Sequence, residues 1–252
     1  MRAALPTDAE VAAFHRDGYL VVPGLLDAEE MRRVTAWTED LAAMPEVPGR
    51  HMVYHEDSLR APGQRVLSRI ENFCPFHEGM DRLLRGPGLG DWVARLMGEP
   101  VVLFKEKINF KIPGSDGFKA HQDVQAGWDV YGPLHVTALV TIDDTTPENG
   151  CLELAAGRHR EGLLGEMWKP LPEDGSIEYV ACPTRSGDVV FFDSYAPHRS
   201  APNATDRPRR VLYVTYNARS AGDHRLAYYA AKRKSFPPDC EREPGARYVF
   251  RV

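Results

Sequence analysis

From Val101 to Ala218 the chain is a succession of short runs rich in β-branched and aromatic residues. VVLFKEKINFKI (101–112), LHVTALVTIDD (134–144), CLELAA (151–156), IEYVAC (177–182), GDVVFFDS (187–194) and RVLYVTYNA (210–218) are each bounded by Gly, Pro, Asn or Asp. Strands at this spacing with turn chemistry between them predict an antiparallel sandwich or barrel. Helical patterns precede the strands instead of alternating with them, which argues against a doubly wound parallel sheet.

The N-terminal part reads as helices. Thr7 and Glu10 form a capping box, Gly18 stops the first helix, and YLVVPGLL supplies a short strand. Asp27 caps a second helix over 28–43, with Met31, Val34 and Leu41 on its inner side. Residues 45–66, rich in Pro, Gly, His and charge, read as a long loop of the kind that often serves as a lid. MDRLLR and LGDWVARLM, within 76–97, predict helices packed on one side of a sheet. With no internal repeat or linker, a single domain over 1–252 is expected: a helical part to residue 98, a β core over 99–220 and a C-terminal extension over 221–252.

Composition narrows the function classes. An apolar fraction of 43% fits a sizeable core, and a net charge of −5 gives no support for nucleic-acid binding. No run approaches the roughly 18 apolar residues of a membrane span. Pro6, Thr7 and Asp8 come too early for a signal-peptide apolar region, so a cytoplasmic protein is expected. Cys74, Cys151, Cys182 and Cys240 are far apart and read as free thiols. Oligomeric state is not legible.

GFKAHQDVQAGW (117–128) places His121 and Asp123 two apart, so on a strand both face one side and can reach one metal ion. His198, directly after the apolar run 189–193, is the candidate third ligand. Two histidines and one carboxylate make the facial triad of non-heme Fe(II) oxygenases, which leaves coordination positions open for a cosubstrate and O2. Arg209 and Arg210 follow at the start of the next strand, and a hairpin there would bring a guanidinium back alongside His198 to grip a distal carboxylate. Ser200 is a candidate additional hydroxyl, and Thr137 a candidate contact to the cosubstrate.

Lys105, Lys107, Asn109 and Lys111 share one face of the first strand of the β core. Pointing inward, they would line a cationic pocket for a phosphonate, phosphate or carboxylate; pointing outward, they would be ordinary surface lysines. Glu106 on the other face leaves both orientations open. Gln122 and Gln125 are candidates to orient polar substrate groups. Trp128 and Tyr131 either close over the substrate or pack a loop against the barrel.

These motifs resemble those of the phytanoyl-CoA dioxygenase-like Fe(II)/2-oxoglutarate oxygenases along nearly the whole chain. FHRDGYLVVPGLLDAEE is similar to the family's opening, HQD to its first metal motif, and NGCLELAAGRHREG to its mid-barrel segment, with Ala-Gly-Arg-His where Pro-Gly-Ser-His is usual. HRSAPNATDRPRR matches a distal His followed eleven residues later by the 2-oxoglutarate arginine, which puts that role on Arg209. The resemblance implies a mainly β, double-stranded β-helix (jelly roll) with packed N-terminal and flanking helices. It implies Fe(II), with 2-oxoglutarate and O2 as cosubstrates, ascorbate as a stimulant, and hydroxylation coupled to decarboxylation to succinate and CO2. KEKINFKIPG and GFKAHQD look most like bacterial members acting on small organophosphonates, of the 2-aminoethylphosphonate dioxygenase type. A halogenase on the same scaffold would lack the Asp123 carboxylate. A zinc hydrolase would not need Arg209, and a non-catalytic ligand-binding barrel would need neither the complete triad nor Arg209.

Overall fold

The computed structural model describes residues 5–248; the last four residues of the expected C-terminal extension lie outside the described residues. Capping boxes at Thr7–Glu10 and Asp27–Glu30 start α1 (Asp8–Asp17) and α2 (Ala28–Ala43), and Gly18 ends α1 in the left-handed conformation. Between these helices lies β1 (Tyr19–Val22). Two short helices, α3 (Glu78–Arg85) and α4 (Leu89–Met97), precede the strand-rich part.

Residues 45–66 are not one long loop. β2 (Met52–Asp57) pairs with β3 (Arg65–Glu71), and β3 pairs in turn with β4 (Val101–Lys111). Inside this segment His51, Met52, Val53 and Tyr54 are buried, and just beyond it so are Arg69 and Glu71 of β3. Later come β5 (Phe118–His121), β6 (His135–Thr141), β7 (Leu152–Leu154), β8 (Val180–Cys182), β9 (Val189–Asp193), β10 (His198–Ser200) and β11 (Arg209–Ala218). A last helix, α5 (Arg225–Ser235), follows.

The strands form two facing antiparallel sheets of a double-stranded β-helix: a seven-stranded one in the order β1-β9-β6-β11-β4-β3-β2, and a four-stranded one in the order β5-β10-β7-β8. Alternation along β9 shows how the layers are built. Val189 and Phe191 turn toward the helices, where Phe191 stacks on Trp92 at 5.6 Å between ring centres. Val190 and Phe192 turn toward the inner core between the sheets, with Leu139, Leu154 and Val211.

The same alternation along β4 leaves no solvent face. Lys105, Asn109 and Lys111 are buried inside the barrel. On the other side Glu106 is fully buried and takes Arg225 of α5 at 2.5 and 3.1 Å, together with the Cys74 backbone N–H at 3.0 Å. Unpairing a buried carboxylate is expensive, so Arg225→Met is expected to cost about 3–5 kcal/mol in urea unfolding. Adding Glu106→Gln should recover most of it. A loss under about 1 kcal/mol would mean that the pair does not hold α5 to the barrel.

Candidate metal centre and active site

His121 ends β5 and His198 begins β10, and the two are direct partners in the antiparallel ladder. Asp123 opens the tight turn 123–126 just past β5. The His121 and His198 Nε2 atoms stand 3.9 and 4.0 Å from Asp123 Oδ1, and one ligand atom from each residue lies within 4.8 Å of the others. The Nδ1 of His121 faces the Lys119 carbonyl at 2.7 Å, and that of His198 the Ala196 carbonyl at 3.0 Å. Each carbonyl fixes the proton on Nδ1 and leaves the Nε2 lone pair toward the common point, the orienting contact typical of metal-binding histidines. Burial, then the neighbouring His198, push the His121 imidazole down to about 3. Burial works against the Asp123 carboxylate, yet His198, Lys107, His121 and Lys105 together hold it below its ordinary range. Two neutral imidazoles and one ionised carboxylate fit a divalent transition metal. Thr137 stands behind the carboxylate, 3.5 Å from Asp123 Oδ2, with its hydroxyl shared with Thr215 at 2.8 Å.

The expected hairpin from His198 to Arg209 does not form. β11 lies between β4 and β6 in the larger sheet, whereas β10 lies in the smaller one, so Arg209 approaches from the opposite wall. The turn after His198 crosses between sheets, which a sequence cannot distinguish from a hairpin return. Arg209 points inward and is buried, donating to the Gly150 carbonyl and to Tyr213, while its Nε has no partner among the described residues. Tyr213 packs on Phe192, and Phe192 packs on His198. Arg210 points outward to Asp143 at 2.8 Å and Glu39 at 3.4 Å.

Lys111 pairs in register with Arg209, and its Nζ donates to Ser200 Oγ at 2.8 Å and to the Ala201 carbonyl. Lys111 and Arg209 are thus two adjacent buried cations, neither with a carboxylate partner among the described residues. Burial and Arg209 push the Lys111 ammonium down to about 7. An anion seated between them would relieve both. Lys111 therefore belongs beside Arg209 and Ser200.

On the other side of the triad lies a cavity of about 780 Å³, lined by His121, Asp123, Lys105, Lys107, Trp128 and Tyr131 among others. Asn109 does not line it, and its Oδ1 is buried without a partner. Gln122 does not face it either. As the residue between His121 and Asp123 it points to the opposite side, donating to the Gly162 and Tyr195 carbonyls and accepting from the Leu164 N–H. Gln125 donates to the Glu166 and Lys169 carbonyls at 2.7 Å each and accepts from the Gln122 N–H. Both amides are saturated by backbone, so these glutamines clasp the segment 162–169 onto the metal turn instead of meeting substrate.

Several lining residues escaped the sequence reading. Arg69 and Glu71 come from β3, in the stretch after residue 66 to which no element was assigned, although alternation in RVLSRIE carried the signal. Tyr228, Lys232 and Phe236 come from α5 and its end, within what read as a peripheral extension. Glu71 is buried and accepts from Lys232 at 2.5 Å and Arg69 at 2.8 Å, with Lys105 at 3.9 Å. These cations keep it ionised despite its burial. Lys107 has no carboxylate in ion-pair range among the described residues; its Nζ rests over Tyr213 at 4.7 Å and Phe118 at 5.7 Å.

Comparison with known proteins agrees with this geometry. The family model described as phytanoyl-CoA dioxygenase matches residues 14–211. The chain is similar to a 2-aminoethylphosphonate dioxygenase of the uncultured bacterium HF130_AEPn_1, at 39% identity over 96% of this chain and 93% of that one. It is equally similar, at 39% over 91% and 88%, to a methylphosphonate hydroxylase of Gimesia maris. Among solved structures it resembles EctD from S. alaskensis with 2-oxoglutarate and 5-hydroxyectoine, with a TM-score of 0.74 and 25% identity over 88% of this chain and 79% of that one. Among the described residues no helix is long and apolar enough to cross a membrane.

The clasp gives a direct expectation. In Gln125→Ala the amides of Leu164 and Trp168 should exchange with solvent about tenfold faster, in line with the loss of one or two buried hydrogen bonds. Unchanged protection would show that the segment is held by other contacts.

Proposed function

The chain belongs to the phytanoyl-CoA dioxygenase family, and from that premise we propose that it hydroxylates a C–H bond of a small organophosphonate at the expense of 2-oxoglutarate and O2. The balance is R–H + 2-oxoglutarate + O2 → R–OH + succinate + CO2. His121, Asp123 and His198 would hold Fe(II), which when bound supplies the redox chemistry coupling O2 reduction to decarboxylation. Arg209 and Lys111 from the opposite wall, and Ser200 two residues past His198, would hold the distal carboxylate of 2-oxoglutarate. Arg209 offers a planar fork and Lys111 a point charge, and Tyr213 steadies the fork.

One observation carries the substrate class. Beside the triad, one buried carboxylate, Glu71, is shared by Lys105, Lys232 and Arg69, while Lys107 has none. Buried Lys105 and Arg69 with half-buried Lys107 and Lys232 exceed the carboxylates there, and cations withdrawn from water need a further anion. A phosphonate dianion meets that need, and its fixed head group would orient the adjacent carbon toward the metal. Both 39%-identical relatives are phosphonate enzymes by name, which supports the same reading. Trp128 and Tyr131 would form the apolar part of the wall that keeps water from the reacting carbon.

The test is succinate release measured with a panel of phosphonates, carboxylates and neutral amides, with substrate-free turnover subtracted. Phosphonate-dependent, stoichiometric hydroxylation is expected, whereas equally efficient coupling with a neutral substrate would contradict the reading. Lys107→Ala is expected to raise the phosphonate KM about tenfold while iron and 2-oxoglutarate affinities hold. Added salt should raise that KM as it screens the cavity entrance.

The metal and cosubstrate assignments have their own readouts. His198→Ala or His121→Ala should lose Fe(II) binding in anaerobic calorimetry, since two remaining ligands hold the ion weakly. Arg209→Ala should raise the 2-oxoglutarate KM roughly 30- to 1,000-fold, or about 2–4 kcal/mol, and Arg209→Lys should restore only part of this. A large effect in Arg210→Ala with little in Arg209→Ala would overturn the assignment.

A further inference from the structure

The open end of the cavity differs from its interior in carrying both signs of charge on exposed side chains, Asp129 and Arg247. Among the described residues three side-chain carboxylates line the cavity: Glu71, Asp123 and Asp129. Glu71 is taken by its three cations and Asp123 belongs to the triad. Asp129 is exposed, on the turn 128–131 between Trp128 and Tyr131, and has no ion pair or hydrogen bond among the described residues. Val130 beside it is 75% exposed, which places this turn at the rim.

Across the rim stands Trp168, also part of the cavity wall and 45% exposed. Its backbone has φ +66°, a region that bulky residues rarely enter. The clasp keeps it there: the Trp168 N–H donates to the Gln125 carbonyl at 2.9 Å, and the Gln125 side chain holds Glu166 and Lys169 on either side. Its indole lies against Gly127, where a Cβ would come within 2.5 Å of the ring. A strained backbone, a saturated glutamine and a glycine thus combine to hold an indole that stays half open to solvent. Strain maintained by its surroundings is found at functional positions. An indole and a carboxylate without an ion pair among the described residues, lining one cavity mouth, are chemistry for an ammonium group.

We propose that Asp129 and Trp168 form a cation subsite at the cavity mouth, so that the substrate is a zwitterion whose phosphonate reaches the buried lysines and whose ammonium stays at the rim. The inference rests on the anionic-substrate reading above and sharpens it. The two relatives of equal identity act, by name, on an amino-bearing phosphonate and on an unsubstituted one, so similarity alone does not choose between them. The rim does choose, in favour of the amino-bearing class.

The test compares kcat/KM of the iron-loaded enzyme for 2-aminoethylphosphonate and for propylphosphonate, in which a methyl replaces the ammonium. Anaerobic calorimetry with both compounds gives a second readout independent of turnover. The parent enzyme should favour the amino compound about tenfold or more, the combined scale of an exposed ion pair and a cation–π contact. Asp129→Asn and Trp168→Leu should each lower that preference about three- to tenfold, and Asp129→Glu should retain most of it. A preference near one in the parent, or one that neither variant moves, would overturn the cation subsite and leave the phosphonate reading intact. If neither phosphonate binds or turns over, the anionic-substrate reading fails and the subsite falls with it.

Discussion

A cation taken out of water must find negative charge, and the interior of this barrel holds more of the former than the latter. Lys105, Lys107, Lys111, Arg69, Arg209 and Lys232 all turn into it or into its walls, against Glu71 and the triad's Asp123. Burying these groups costs folding energy that ordinary core residues would not. The cost is confined to two places. Arg209 and Lys111 face each other on neighbouring strands at one side of the triad; at the other, Lys105 and Lys232 gather around Glu71, and Lys107 lines the same cavity. Two anions entering from opposite sides of one metal centre would balance both.

The scaffold that tolerates this is stabilised away from the site. The outer face of the larger sheet carries the apolar layer, with Trp92 stacked on Phe191 and α1 to α4 packed over it. The Glu106–Arg225 pair fixes α5, and α5 then carries Tyr228 and Lys232 into the cavity wall. A stabilising contact on one face of β4 thereby completes a binding surface on the other.

How much of this could be read from the residues varies with the range of the interaction involved. Caps and alternation are local, so α1, α2 and the strands β4, β6, β7, β8, β9 and β11 were legible. The short β10 was not, and Asp123 stands on the turn past β5 instead of on the strand with His121. β2 was hidden because the stretch 45–66 is rich in Pro, Gly, His and charge, and the place of Glu71 on β3 emerges only when its partner Lys232 is brought in from 161 residues away. The place of Arg209 on the opposite sheet and the saturation of Gln122 by Gly162, Leu164 and Tyr195 are likewise products of long-range topology. The strain at Trp168 carries no sequence signature, because tryptophan is an unexpected residue for a left-handed backbone.

The central claim is that the buried lysines beside the triad hold the substrate's anion while those beside Arg209 hold the cosubstrate's. Crystals grown anaerobically with Fe(II), 2-oxoglutarate and 2-aminoethylphosphonate would test it through anomalous scattering from iron and phosphorus. The account predicts an iron peak among His121, Asp123 and His198, and a phosphorus peak among Lys105, Lys107 and Lys232. A phosphorus peak beside Arg209 and Lys111, or only on the protein surface, would contradict it.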